Sequence, residues 1–151
     1  MVSTRLRRNK VRTSGQQGVP RRVGLLALAL LLAGCRPDPA SPRGAAERFL
    51  DAHYVAIDLS AALPLTTGLA RAKVERERAL VGGVAIDETT RKPQVWYRLL
   101  EERAAGDERV QLLYRGTLSP EGVERFHRRW LVTVRREPSG WIVSNFEELP
   151  D

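Results

Sequence analysis

The amino-acid sequence predicts an α+β domain in which two N-terminal helices pack on a four-stranded antiparallel sheet. Apolar residues first recur at helical spacing, from about residue 45 to residue 81. From Gln94 onward the period shortens toward two, which is typical of half-buried strands. Short turn segments rich in Gly and Pro separate the later elements, and short turns favour a meander of neighbouring strands.

The first helix is predicted from Ala45 to about Ile57. Ser41 and Pro42 before it fit an N-cap and a first helical residue, because proline has no N–H to leave unpaired there. Charged residues occupy the opposite side of this helix. Its apolar stripe consists of Ala46, Phe49, Leu50, His53 and Ile57.

The second helix is predicted from Thr66 or Thr67 through Val81, after a loop at residues 60–65, and Gly82-Gly83 ends it. Two pairs of opposite charge at i,i+4 support it: Arg71 with Glu75, and Lys73 with Glu77. Its apolar stripe is thin and consists of Leu69, Ala72 and Leu80, with Ala70, Val74 and Val81 alongside. Residues 84–93 are expected to form a loop or a short strand closed by a proline.

Four strands are predicted, at Gln94–Arg103, Arg109–Leu118, Val123–Arg136 and Trp141–Glu148. The turns between them contain Gly-Asp, Ser-Pro-Glu-Gly and Pro-Ser-Gly, which are strong turn sequences. Arg128 interrupts the apolar face of the third strand, whose members are Phe126, Trp130, Val132 and Val134.

The first 34 residues have the composition of an export signal. Seven arginines and lysines precede Val23 without any acidic residue, and eleven uncharged residues follow as far as Ala33. That run is about half of the roughly 20 residues that a transmembrane helix needs. The end of this run and the two residues after it read Leu-Ala-Gly-Cys, residues 32–35, which resembles the lipobox of a bacterial lipoprotein. The resemblance implies cleavage between Gly34 and Cys35 and attachment of lipid to Cys35.

The expected organisation is therefore a signal peptide over residues 1–34, a lipidated cysteine with a Pro-rich tether over residues 35–42, and one α+β domain over residues 43–151. Two or three acyl chains make a durable anchor. We expect the domain to lie outside the cytoplasm, anchored to the bacterial cell membrane or outer membrane. Since Cys35 is the only cysteine, the lipid leaves no thiol for a disulfide, a nucleophile or a metal site.

The charge balance argues against nucleic acid as a partner. The net charge of +7 equals the seven basic residues of the leader, so the remaining chain carries 18 basic and 18 acidic residues. Nucleic-acid-binding domains normally show a basic patch in a basic domain. The basic cluster that remains, at Arg125, Arg128 and Arg129, stands beside Glu121 and Glu124 and fits a solvated strand face or an anion site.

Two helices followed by a meander of long strands resemble the nuclear transport factor 2-like fold, in which a curved sheet wraps around a helix into a cone with a pocket. The end of the chain is similar to the closing hairpin of small exported members: a strand rich in Arg and Val, then Glu-Pro-Ser-Gly, then Trp141–Phe146. The resemblance covers about residues 42–149. A cystatin-like or other helix-on-sheet α+β fold is the alternative.

The residues give no catalytic or metal-binding motif, and no cofactor is expected. The two histidines lack zinc-site spacing, and neither a Gly-x-Ser-x-Gly elbow nor a glycine-rich phosphate loop is present. The fold resemblance implies that a pocket carboxylate with His or Tyr can act as acid and base, as in steroid isomerases and polyketide cyclases. The candidate pocket residues are His53, Arg128, Tyr97 and Tyr114. A histidine placed like His53 is more often a hydrogen-bonded core or rim histidine, and an arginine placed like Arg128 more often marks a strand twist or edge with its head in solvent.

We therefore expect a membrane-tethered lipoprotein that acts as a non-enzymatic binding or interaction module of the cell envelope. Its partner is expected to be an envelope protein or a small apolar ligand, besides the membrane that holds the lipid on Cys35. An assembly subunit of an envelope complex and an isomerase- or cyclase-type pocket enzyme are the alternatives.

Overall fold

Helices precede strands throughout the part of the chain that the computed structural model describes, residues 37–82 and 92–150. Helix α1 spans Pro42–Leu50 and continues as a π-helical turn over Asp51–Val55. Helix α2 spans Leu59–Ala62 and continues as a 3-10 turn over Leu63–Leu65. Helix α3 spans Gly68–Leu80. The predicted signal peptide, Cys35 and most of the expected loop before β1 lie outside the described residues.

The predicted antiparallel meander is confirmed. Strands β1 (Gln94–Ala104), β2 (Arg109–Ser119), β3 (Phe126–Glu137) and β4 (Gly140–Leu149) follow each other in space as they do in the chain, and each pair is antiparallel. β3 begins later than the expected Val123 because the turn at Gly122, which has a φ of 74°, extends the loop. Irregular pairing at Leu99/Glu101 and at Thr133/Val134 marks bulges, which bend a sheet.

Helix α1 begins as the sequence predicts, and the chain before it is folded. The Ser41 hydroxyl accepts a hydrogen bond of 2.9 Å from the Gly44 N–H and thereby caps the helix. Ser41 also donates to the Asp38 carbonyl oxygen through its backbone N–H (2.9 Å) and its hydroxyl (2.6 Å). The second half of the Pro-rich tether is thus a turn packed on α1.

The segment predicted as a loop at residues 60–65 is helical, so that prediction is wrong. Asp58 caps α2 by accepting a 2.9 Å hydrogen bond from the Ala61 N–H, and Ala62 is buried. Pro64 stands at the start of the 3-10 turn. A backbone N–H at this position would have no carbonyl partner within the turn, so proline is tolerated there.

The apolar stripe predicted for α3 is wrong in part. Leu69 and Leu80 are 57% and 80% exposed, whereas Ala70 and Val74 are fully buried. Ala70, Val74 and Glu77 lie on the side of α3 that faces the core, where Glu77 binds the buried His53.

The sheet has an inner face, which the helices cover, and an outer face. The buried apolar core residues are Ala45, Ala46, Phe49, Leu50, Ala62, Ala70, Val74, Leu112, Tyr114, Trp130, Val132, Val134, Val143 and Phe146. All of them lie within residues 45–146, so the compact unit that begins at Arg36 has its own hydrophobic core. Within the described ranges no helix has the length and apolar character needed to span a bilayer.

The free edge of β4 is covered by the chain that enters α3. Thr66 bridges to Val143 in parallel, and the Thr67 N–H donates to the Val143 carbonyl oxygen at 2.8 Å. The Lys73 ammonium then donates to the Phe146 carbonyl oxygen and, at 3.0 Å, to Oδ1 of Asn145. These contacts satisfy edge groups that would otherwise be open to another strand.

Candidate functional site

A cluster of stacked rings occupies the inner face where the π-helical turn meets β3 and β4. The aromatic cluster, as we name it, comprises Phe49, His53, Tyr54, Trp130 and Phe146. The His53 ring stacks on Phe49 with centroids 5.1 Å apart, and Tyr54 stacks on Trp130 at 4.2 Å. Phe146 lies 5.0 Å from both Phe49 and His53. These rings thus form one continuous set of aromatic contacts between the helices and the sheet.

His53 is bound to a carboxylate at the edge of this cluster. Its Nε2 lies 2.6 Å from Oε2 of Glu77 on α3. The imidazole is 8% exposed and the carboxylate 40% exposed, so the pair joins a buried ring to the solvent. The other ring nitrogen, Nδ1, is buried and has no hydrogen-bond partner among the described residues. A His–Glu pair can carry a proton, but here Glu77 occupies Nε2.

The Tyr54 hydroxyl and the indole N–H of Trp130 are also buried. No hydrogen bond of standard geometry reaches either atom from the described residues. Burial raises the pKa of Tyr54, and the nearby carboxylate of Glu148 raises it further. A phenol with a raised pKa keeps its proton at neutral pH and is a poor base.

Tyr97 and Tyr114 form a second contact, between β1, β2 and α1. Their rings meet edge to face, with centroids 5.7 Å apart. The Tyr97 hydroxyl donates to Oδ1 of Asp51 at 2.6 Å. Burial raises the pKa of both tyrosines; the hydrogen bond to Asp51 adds to the shift for Tyr97, and the charge of Glu47 to that for Tyr114.

Arg128 lies apart from the other candidate pocket residues. It is exposed near the start of β3, opposite Gly116, and its Nη1 donates to the His127 carbonyl oxygen at 3.1 Å. Its guanidinium lies 5.0 Å from the centre of the Phe126 ring. The structure therefore brings Tyr97 and Tyr114 together and pairs His53 with a residue that the sequence did not single out.

Only a weak sequence signal pointed to Glu77, and none pointed to Glu148. Glu77 continues the line of Ala70 and Val74 at helical spacing, but its i,i+4 relation to Lys73 made it look like half of a surface pair. Within the described residues no group of three His, Cys, Asp or Glu side chains is placed to hold a metal ion.

The outer face of the sheet carries an aligned row of arginines. Arg98 of β1 pairs with Arg115 of β2, which pairs with Arg129 of β3. Arg129 donates through Nε (3.0 Å) and Nη2 (2.8 Å) to the carbonyl oxygen of Pro150. Of the three, Arg98 is exposed, and Arg115 and Arg129 are half-buried.

Apolar side chains adjoin the arginine row. Trp96 is 50% and Leu100 42% exposed. Leu113 and Leu131 face each other across β2 and β3, and with Leu149 they line a shallow depression of about 190 Å³. The outer face thus combines cations with apolar contact area.

Comparison with known proteins gives relatives in structure only. No protein-family model matches the chain, and no curated protein matches it. A protein from Thiobacillus denitrificans, described as a calcium/calmodulin-dependent protein kinase type II association domain, is similar with a TM-score of 0.57 and 16% identity over 77% of this chain and 99% of that one. A ketosteroid isomerase-like protein from Erwinia carotovora atroseptica has a TM-score of 0.51 and 13% identity over 77% of this chain and 100% of its own. The VirB8 protein of Agrobacterium tumefaciens has a TM-score of 0.51 and 13% identity over 78% and 97% of the two chains. These likenesses confirm the nuclear transport factor 2-like α+β fold.

Proposed function

We propose that this chain is an exported bacterial lipoprotein, cleaved before Cys35 and held by lipid on that residue, whose domain is a non-enzymatic interaction module of the cell envelope. The lipobox-like sequence and the basic, then apolar, leader support export and lipid attachment. One observation carries the non-enzymatic assignment: two of the candidate acid–base groups, the His53 imidazole and the Tyr97 hydroxyl, are each bound to a carboxylate of the protein itself.

A catalytic acid or base must come within hydrogen-bond reach of its substrate. The Nε2 of His53 is held by Glu77, and its ring lies between aromatic neighbours. The Tyr97 hydroxyl is held by Asp51. These contacts hold both groups in place within the domain, whereas the Tyr114 hydroxyl is buried and has no hydrogen-bond partner among the described residues.

The outer face is the surface that we assign to the partner. Exposed Arg98 favours an envelope protein with an acidic surface, and exposed Trp96 and Leu100 supply apolar anchors of the kind found at interface centres. A structural relative described as an association domain agrees with this role by analogy of fold.

Site-specific photo-crosslinking in the host tests the surface. A benzoylphenylalanine at position 96 or 100 should give one adduct of defined mass. The matched control is position 80, because Leu80 is also an exposed apolar residue but lies on α3. Arg98→Glu should weaken the adduct from position 100. Equal labelling from position 80, or adducts only with a second copy of the chain, would refute a distinct acidic partner on this face.

A stable complex would make the protein an assembly subunit, which differs from a transient binder in one measurable respect. An assembly partner remains stoichiometric through purification in mild detergent. A transient partner is lost on dilution while the crosslink in the host remains.

One observation favours an isomerase- or cyclase-type enzyme as a second candidate: the His53–Glu77 pair is an acid–base couple within a fold that a ketosteroid isomerase-like protein shares. Under this candidate, His53→Ala and Glu77→Gln both abolish turnover of a bound small molecule. Recovery of the protein without any such molecule, or turnover that survives both changes, eliminates it.

A further inference from the structure

The lipid on Cys35 would have little free chain between it and the folded domain. Asp38 is fixed, because its carbonyl oxygen accepts two hydrogen bonds from Ser41 and its backbone packs against Gly44, where a Cβ would lie 2.9 Å from the Asp38 carbonyl carbon. Asp38 lies three positions after Cys35, and three residues of extended chain reach about 10 Å. A lipid on Cys35 therefore holds the start of α1 close to the membrane surface.

The same end of the domain presents an aromatic residue flanked by arginines. Ala45, in the first turn of α1, shares a groove with Ser139 and Trp141 of the β3–β4 hairpin, and Arg48 lines that groove. The Arg136 guanidinium lies 5.8 Å from the centre of the Trp141 ring. Trp141 is half-buried. Tryptophan and arginine at one surface are typical of the membrane–water interface.

A basic depression of about 500 Å³ adjoins this groove at the hairpin. It is lined by Glu108, Arg109, Arg135, Arg136, Glu137 and Pro138. Glu137 neutralises Arg135 through hydrogen bonds of 3.0 and 2.6 Å. Arg109 and Arg136 make no contact with a carboxylate within the described part of the chain, so two cations remain against Glu108.

We propose that this lipid-facing end, defined by Arg48, Arg109, Arg136 and Trp141, binds the phosphates of anionic phospholipid headgroups. The inference rests on the proposed lipid anchor and adds a fixed orientation to it. Guanidinium groups bind phosphate oxygens in a bidentate manner, and the indole ring suits the headgroup layer. The domain docks by this end and leaves the opposite end, with Trp96 and Arg128, directed away from the membrane.

Tryptophan quenching in vesicles tests the orientation. The purified lipoprotein is reconstituted through its lipid into vesicles of phosphatidylcholine, or of phosphatidylcholine mixed with phosphatidylglycerol, with brominated acyl chains as the quencher. Trp130 is 1% exposed and serves as a shielded background. We expect stronger quenching with phosphatidylglycerol, retained in Trp96→Phe and lost in Trp141→Phe.

Charge variants complete the test. Each arginine near an anionic surface changes the ratio of docked to free protein about fivefold, so Arg109→Gln with Arg136→Gln should lower it about thirtyfold. Arg128→Gln is the matched control, since Arg128 is an exposed arginine seven positions before Arg135 along β3, about 23 Å away. It should leave the quenching unchanged.

Quenching that is equal in both lipids, that is lost in Trp96→Phe, or that survives the double arginine change overturns headgroup docking. A failed anchor is recognised separately, because the intact mass then shows an unmodified Cys35. In that case the unlipidated protein is sedimented with phosphatidylglycerol vesicles. Binding that depends on Arg109 and Arg136 would support the headgroup site even without the anchor. Absence of binding would refute it.

Discussion

Replacing Gly116 by alanine tests how the inner face is packed. A Cβ at Gly116 would lie 2.6 and 2.7 Å from Cζ3 and Cζ2 of Trp130, and nearer still to Cη2. Carbon atoms pack best at about 3.5–4.0 Å, so the indole would have to move by about 1 Å. Trp130 is 1% exposed and Tyr54 stacks on it at 4.2 Å, which leaves the ring no free space.

The expected loss of stability follows from two opposed effects. Overpacking of a well-packed core costs about 1–3 kcal/mol, and the close approach here points to the upper value. Alanine is better than glycine in a strand by about 0.5–1 kcal/mol. The net loss in the free energy of unfolding should be about 2 kcal/mol, which lowers the Tm of a domain of this size by about 8 °C.

Thermal and urea unfolding of the Gly116→Ala variant measure this loss. Trp130→Phe is the companion change, because a phenyl ring is smaller and leaves room for the new methyl group. The double variant should be more stable than the sum of the single effects predicts, by about 1 kcal/mol or more. A Gly116→Ala variant that is as stable as the parent, or more so, would refute the packing of Trp130 on Gly116.

Three further changes should have measurable effects. His53→Ala should lower the free energy of unfolding, measured in urea titrations, by about 3 kcal/mol because it removes a buried ring. Glu77→Gln should lower it by only about 1 kcal/mol because the amide can still accept a hydrogen bond. Equal losses in the two variants would contradict this difference. Lys73→Met should cost about 1 kcal/mol and speed amide exchange along the edge of β4, and unchanged exchange would refute its role there. Stability should fall as pH rises past about 10, because the raised pKa values of Tyr97 and Tyr114 keep protons on the folded protein that the unfolded chain has lost. Urea unfolding of the parent and of the variant with both tyrosines replaced by Phe, on either side of that pH, checks this, since the fall should be smaller in the variant.

The strands were predictable because their pattern is local. Alternation in β3 and the turn sequences around residues 106, 120 and 139 place each strand within a few residues of its position in the structure. Antiparallel order then follows from the short turns. The pairing of the three outer-face arginines also follows once the register is known.

The orientation of α3 could not be predicted from periodicity. The helix has few apolar residues, and two stripes of similar apolar content compete: one with Leu69 and Leu80, the other with Ala70 and Val74. The second stripe is buried because Lys73 and Glu77 on that side bind groups distant in the chain. Such long-range partners leave no local signal.

The candidate site was partly predictable for the same reason. His53 stood out because it interrupts an apolar stripe, and Tyr114 because it alternates with polar neighbours. The π-helical turn, which rotates His53 toward Glu77 and Asp51 toward Tyr97, has no sequence signature that we could use. The aromatic cluster likewise depends on β3 and β4 meeting α1, which only the fold provides.

Native mass spectrometry of the protein, extracted in mild detergent from its own host, tests the central claim most directly. The account predicts a chain that begins at Cys35, carries the mass of lipid on that residue and binds no metabolite; a stoichiometric protein partner that survives extraction would mark an assembly subunit. A chain with an unmodified Cys35, or one that carries a small molecule and no protein partner, would contradict it.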